Sequence, residues 1–195
     1  MKINNYTLDP NAISRHKIIN DIITKFQSDY TYLDKDSNPL NWVEKYYGLA
    51  RIEEVDGNRF PVVMVGNDYI TTQPNDHYKS IAFFYDEGDA NFVSGGRRLE
   101  YTFNLIVWFN RDCITSTNYE IIDHLIRDAY TLLLKSNCTP LNVYIGRDDV
   151  FSQFNINEFD QRNMHAPFNA FRLRFNAIEV CDYRRSTGGK FQSNL

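Results

Sequence analysis

Four histidines, three cysteines and a scatter of carboxylates are the side chains with reactive potential in this chain, and their spacing limits what they can do together. His16, His77, His124 and His165 fall in four different segments, and none forms a ligand pair of the kind a metal site needs, so no metal is expected. Glu120 and His124 share one helix at i, i+4, a spacing that equally describes an ordinary solvated pair. Asp148 and Asp149 are adjacent. In a strand they would point to opposite faces and in a turn they would splay, so neither arrangement yields a paired acid and base. Cys113 and His124 have the types of a nucleophile and its base, but nothing nearby in sequence would lower the thiol pKa. Cys113, Cys138 and Cys181 are odd in number and far apart, which suits reduced structural thiols better than a disulfide framework.

Two glycine-containing stretches invite a phosphate-binding reading. Thr187-Gly188-Gly189-Lys190 lacks the full spacing of a phosphate loop and does not lie between a strand and a helix. Ser94-Gly95-Gly96-Arg97-Arg98 could cradle an anion through backbone amides and guanidinium groups, but a flexible hairpin tip explains the same residues with less assumption. No catalytic activity and no cofactor is therefore expected.

The 195 residues are 43% hydrophobic and 15% aromatic, enough to build a packed core, and they fit one large domain. The division expected is one α+β domain over residues 1–181 followed by a polar arm over residues 182–195 that is poor in apolar groups. A formal net charge of -4 lacks the basic excess of a general nucleic-acid binder. No apolar run approaches the roughly 20 residues that cross a bilayer, and the N-terminal residues lack the apolar centre of a secretory signal, so an intracellular, soluble protein is expected.

The elements that would position these residues follow from periodicity. Asp9-Pro10 opens a helix in which Ile18, Ile19, Ile22, Ile23 and Phe26 form one apolar stripe. Residues 30–40 have the composition of a loop. Asp56-Gly57-Asn58 between two strand-like runs, residues 49–55 and 59–65, predicts a hairpin, with Pro61 placing the second strand at an edge or bulge. A further strand over residues 80–85 leads to a long flexible tip over residues 86–98.

The clearest strand covers residues 99–110. Leu99, Tyr101, Phe103, Leu105, Val107 and Phe109 alternate onto a core face, while Ile106 and Trp108 fall on a half-wet face. A second helix opens at a Thr117–Glu120 capping box and carries Ile121, Ile122, Leu125, Ile126, Ala129, Leu132 and Leu133 at helical spacing. A short strand over residues 142–145, a polar-aromatic excursion over residues 151–166 and a final strand over residues 168–180 complete the order. In that last strand Phe171, Leu173 and Phe175 alternate with Arg172 and Arg174, which predicts an apolar inner face and a basic outer one. The sum is an α+β fold, a mostly antiparallel sheet with two helices packed on one face, with long loops and terminal arms.

This order, with residues 13–26 as first helix, 99–110 as central strand, 119–135 as second helix and 168–180 as closing strand, resembles the tail-terminator and head-tail neck ring proteins of tailed bacteriophages. The resemblance is one of pattern over residues 11–181, without a signature motif. It implies a structural virion subunit, assembled in the host bacterial cytoplasm, that forms a ring, six-fold or a multiple, around the DNA path and joins other neck, portal or tail proteins without reading DNA sequence. The extra segments at residues 30–40 and 151–166 depart from smaller members and leave the ring position open. Alternatives are a small ligand- or nucleic-acid-binding α+β domain, or a hydrolase using Asp148, Asp149 or His165. For a nucleic-acid platform, however, Arg172 and Arg174 lie on the face opposite their neighbouring aromatics. Aromatics and arginines are enriched at interfaces, so the expected subunit contacts are Gly95, Gly96, Arg97 and Arg98 at the tip, Trp108, Arg172 and Arg174 on the sheet, and Arg184 and Arg185 in the tail.

Overall fold

A computed structural model describes residues 14–33, 39–40, 42–65, 68–93, 98–114 and 121–180. The helix opening at Asp9-Pro10, the Thr117–Glu120 capping box, the Thr187–Lys190 stretch and the polar arm lie outside the described residues. The elements in chain order are helix α1 (Ser14–Asp29), strands β1 (Tyr32–Leu33), β2 (Pro39–Leu40), β3 (Lys45–Leu49), β4 (Arg51–Val55), β5 (Asn58–Val65), β6 (Asp68–Thr71), β7 (Ser80–Val93) and β8 (Arg98–Asn110), helix α2 (Ile121–Lys135), strand β9 (Cys138–Ile145), the short helix α3 (Arg147–Val150) and strand β10 (Phe168–Val180).

The main sheet has the order β3-β7-β8-β10-β9 and is antiparallel throughout except for the β3–β7 pair. Its first face meets α1 and α2, as the α+β reading requires. Ile19, Ile22, Ile23 and Phe26 of α1 and Ile121, Leu125, Ala129, Leu132 and Leu133 of α2 interlock with Phe103, Leu105, Val107, Phe109, Phe171, Leu173 and Phe175. Tyr30 closes this layer. Its hydroxyl donates to the Leu125 carbonyl at 2.8 Å, and its ring stands edge-on to Phe26 and Trp42. A buried hydroxyl needs such an acceptor, so Tyr30 fixes the spacing of the two helices.

The second face differs from the sequence expectation. Ile106 and Trp108, expected half-wet, are fully buried under a second apolar layer with Ile81, Phe83 and Tyr85. The cover comes from two sources: the small antiparallel sheet β4-β5-β6, through Val63, and residues 150–164, through Val150, Phe151, Phe154, Phe159 and Met164. Those irregular turns are fastened by polar contacts to distant chain. Trp108 Nε1 donates to the Asn163 carbonyl at 3.0 Å, Asn163 Nδ2 to the Pro74 carbonyl at 2.7 Å, and the Asp160 amide to Gln73 Oε1 at 2.8 Å. The excursion is thus a third layer of the molecule.

Other boundaries move for local reasons. The run expected as one strand over residues 49–55 breaks at Ala50, whose amide donates to Phe84 O at 2.6 Å while the chain crosses from the main sheet into the small one. Pro61 sits in the middle strand of the small sheet, not at an edge. Its carbonyl accepts from the Thr72 amide, just past the last β5–β6 pair Val62↔Thr71, so its missing N–H faces a position where the ladder has already ended. The long tip expected from residue 86 is mostly strand. Gly88, at φ 84°, sits in a register shift between Asp86 and Ala90, after which β7 resumes pairing with β8 to Val93↔Arg98. A left-handed glycine inside a strand is what a bulge requires. β1 and β2 pair within the expected loop, and β9 starts at Cys138, earlier than expected.

Candidate functional site

The face of β10 expected to be basic and outward holds a polar cluster whose charged groups are largely paired with one another, although Asn104 Oδ1 and Arg172 Nε are buried without a hydrogen-bond partner. Tyr85, Asn104, Arg174 and Asn142 lie in one cross-strand row over β7, β8, β10 and β9. Arg174 grips Glu87 through two parallel bonds, Nε to Oε1 at 2.8 Å and Nη2 to Oε2 at 2.6 Å, and Asn104 Nδ2 donates to the same Oε1 at 3.1 Å. Burial raises the Glu87 pKa, but the hydrogen bonds from Arg174 and Asn104 and the charges of Arg174 and Arg172 outweigh it, so the carboxyl rests below its usual range. Arg172 is buried. Its Nη1 donates to Tyr85 Oη at 3.0 Å and its guanidinium carbon stands 3.9 Å from the centre of the Tyr144 ring.

This cluster corrects two expected contact residues. Arg172 is shut between Tyr85 and Tyr144, and Trp108 is packed against Phe151 and Phe159 at ring separations of 4.7 and 5.2 Å, so neither presents a surface. Arg174 reaches the rim already committed to Glu87. Arg98 is exposed at the start of β8. Gly95, Gly96, Arg97, Arg184 and Arg185 lie outside the described residues.

The same geometry bears on chemistry. Glu87 borders an open groove of about 630 Å³ with Arg59, Asp86, Ser152, Phe154 and Asn155, but its carboxylate is held ionised by a bidentate arginine. Burial raises the Tyr85 phenol further from neutrality, against the opposing charge and hydrogen bond of Arg172. Neither group is poised as an acid or base near neutral pH. Asp148 and Asp149 occupy the exposed first turn of α3, with Asp148 paired to Arg147 at 3.0 Å. His165 is exposed beyond residues 161–164. Burial pushes the Cys138 thiol up to about 12, with Lys25 opposing, which suits the structural role expected of it. Among the described residues no group of three potential ligands converges on a metal position, and no helix is long and apolar enough to cross a membrane.

A different surface stands out once the layers are in place. Among the described residues β9 is an outer strand of the main sheet, its backbone bonded to β10 on one side only, and none of its residues is charged. Val143 and Ile145 pair with Leu173 and Phe171 and so lie on the helix side of the sheet, yet they remain 42% and 50% exposed. α2 lies over this end. Its α1-facing side holds Leu125 and Lys135, whose carbonyls accept from Tyr30 and Lys25, whereas Ile122, Ile126, Tyr130 and Leu134 step at i, i+4 down the other flank. Tyr130 and Leu134 are exposed there. The flank of α2 and the edge of β9 therefore form one apolar ridge, with Leu141 beside it.

Sequence reasoning missed this ridge because it began β9 four residues late and counted Ile122 and Ile126 into the core stripe of α2 without continuing the row to Tyr130 and Leu134. The signal was present in the second i, i+4 apolar row and in the uncharged run over residues 138–145. Comparison with protein-family models, with curated proteins and with solved structures finds no significant match to this chain.

Proposed function

We propose that this chain is a non-catalytic assembly subunit, a ring-forming component of the neck or tail of a tailed bacteriophage, of the tail-terminator or head-tail connector kind. The observation that carries the reading is the uncharged outer strand β9 beside the exposed flank of α2. Outer strands of stable monomers are ordinarily guarded by charge, cover or distortion, because free N–H and C=O groups template pairing with another chain. Here Pro140 and the register shift beside Leu141 guard the first part of β9, and residues 142–145 have neither. The polar cluster on the sheet supports the same reading from the other side, since the Glu87 carboxylate is committed to Arg174 and Asn104. In a ring subunit the DNA path would be lined without sequence-specific contacts, in keeping with a chain of net charge -4.

The test is negative-stain electron microscopy of the purified protein at high concentration. Closed rings of one copy number support the reading, and a field of single small particles at every concentration contradicts it.

A further inference from the structure

The ridge on β9 and α2 needs a counterpart, and the surface holds a second apolar edge. Met64 and Tyr69 face each other across β5 and β6 and are 66% and 57% exposed, with Ile70 beside them. β6 is an outer strand of the small sheet. The other outer strands of the two larger sheets, β3 and β4, are protected in recognisable ways. β4 carries Arg51, Glu53 and Glu54, with Arg51 and Glu53 paired at 2.9 Å, and β3 has Tyr46, Tyr47 and Gly48 buried. Among the described outer strands of the five- and three-stranded sheets, β9 is thus uncharged and β6 carries Asp68 alone, and the two belong to different sheets. The small sheet joins the main one next to β3, where the chain crosses at Ala50, whereas β9 closes the far side of the order β3-β7-β8-β10-β9.

From this we propose that the β9–α2 ridge of one copy docks on the β6 edge and the Met64–Tyr69 pair of a second copy, a head-to-tail contact. The inference rests on the assembly reading and names its partner surface. Three observations favour this occupant. The unguarded stretch of β9, residues 142–145, matches the length of β6, residues 68–71, so the free backbones can pair over their whole run. β9 brings no charge and the Met64–Tyr69 pair brings none, so the one charge that the paired strands bring to the contact is Asp68, the first residue of β6. A two-fold pairing of β9 with itself would leave Met64 and Tyr69 exposed, whereas the head-to-tail contact covers both edges on every copy. Repeated head-to-tail contacts generate either a closed ring or an open filament, according to the rotation between copies.

Two single substitutions test the contact, Val143→Asp on the ridge and Tyr69→Asp on the β6 edge, each checked for a wild-type circular-dichroism spectrum. Each alone is expected to run as a monomer, since each copy keeps only one working surface. Mixed in equal amounts, they should form a one-to-one heterodimer and nothing larger, because one intact ridge meets one intact β6 edge. Native mass spectrometry reads this as a shift to twice the 22.9 kDa chain mass. Leu134→Asp and Met64→Asp provide a second pair should either first variant fail to fold. Assembly of the β6-edge variant alone, or a mixture that stays monomeric, overturns the contact even if wild-type rings are seen. A heterodimer from the mixture together with open wild-type filaments upholds the contact and refutes the ring reading. A wild-type chain that stays monomeric refutes both.

Discussion

Replacing Trp108 by alanine distinguishes a buried pivot from a surface contact. The indole is 1% exposed, lies 4.7 and 5.2 Å from the rings of Phe151 and Phe159, and donates its Nε1 proton to the Asn163 carbonyl at 3.0 Å. Truncating a large buried aromatic costs about 3–5 kcal/mol through lost transfer energy and the cavity left behind. The stranded Asn163 carbonyl keeps this site off the low end of that range, because an unsatisfied buried acceptor carries its own penalty of about 1–3 kcal/mol. A loss of about 4 kcal/mol is expected. At about 2–4 °C per kcal/mol for a chain of this size, the melting temperature should fall by about 8–16 °C. Trp108→Phe keeps most of the ring burial and loses the hydrogen bond, so about 1–2 kcal/mol is expected. The assay is thermal and urea unfolding followed by circular dichroism in a Val143→Asp background, so that assembly does not add to apparent stability. A loss under about 1 kcal/mol for Trp108→Ala, the behaviour of a surface residue, would refute the layered account of the second face.

The Glu87 carboxyl has a folded pKa below its unfolded value, so its contribution is complete above the ordinary value of about 4.3 and is lost as pH falls through the folded value; Glu87→Gln should flatten that acid limb of the urea midpoint, and identical limbs would refute the assignment. Arg172→Met should stay within about 1 kcal/mol of wild type in urea unfolding, because removing a buried cation relieves its desolvation, and a loss above about 3 kcal/mol would show that the guanidinium is a net stabiliser. In a variant where Cys138 is the sole thiol, an aromatic disulfide reagent at pH 8 should react only after denaturation, since burial pushes this thiol up to about 12, and rapid native labelling would contradict it.

The regular elements were legible because their periods are local. The alternation along residues 99–110 and 168–180 and the 3.6-residue stripes of α1 and α2 placed each core side chain of the first layer, and these four elements meet as read. The second layer was not legible in the same way. Phe151, Phe154, Phe159 and Met164 sit on irregular turns without a period, so nothing local says that they fold back over the sheet. A hint lay in the central strand, where Ile106 and Trp108 on the supposedly wet face were already apolar, the composition of a strand buried on both sides. Arg172 and Arg174 were given the correct face but the wrong environment. Their partners Tyr85, Glu87 and Tyr144 come from other strands, and Gly88 was read as a tip when it is a bulge. The apolar ridge was missed because exposure at the outer strand depends on strand order, which periodicity does not encode.

The central claim is that this chain assembles through its unguarded sheet edge, and the most direct test is sedimentation velocity of wild type and Val143→Asp across a wide concentration range. Wild type is expected to sediment as one discrete species at a multiple of the 22.9 kDa chain mass, and Val143→Asp as a folded monomer. A wild-type chain that sediments as a monomer at all concentrations, or a Val143→Asp chain that assembles as wild type does, would contradict it.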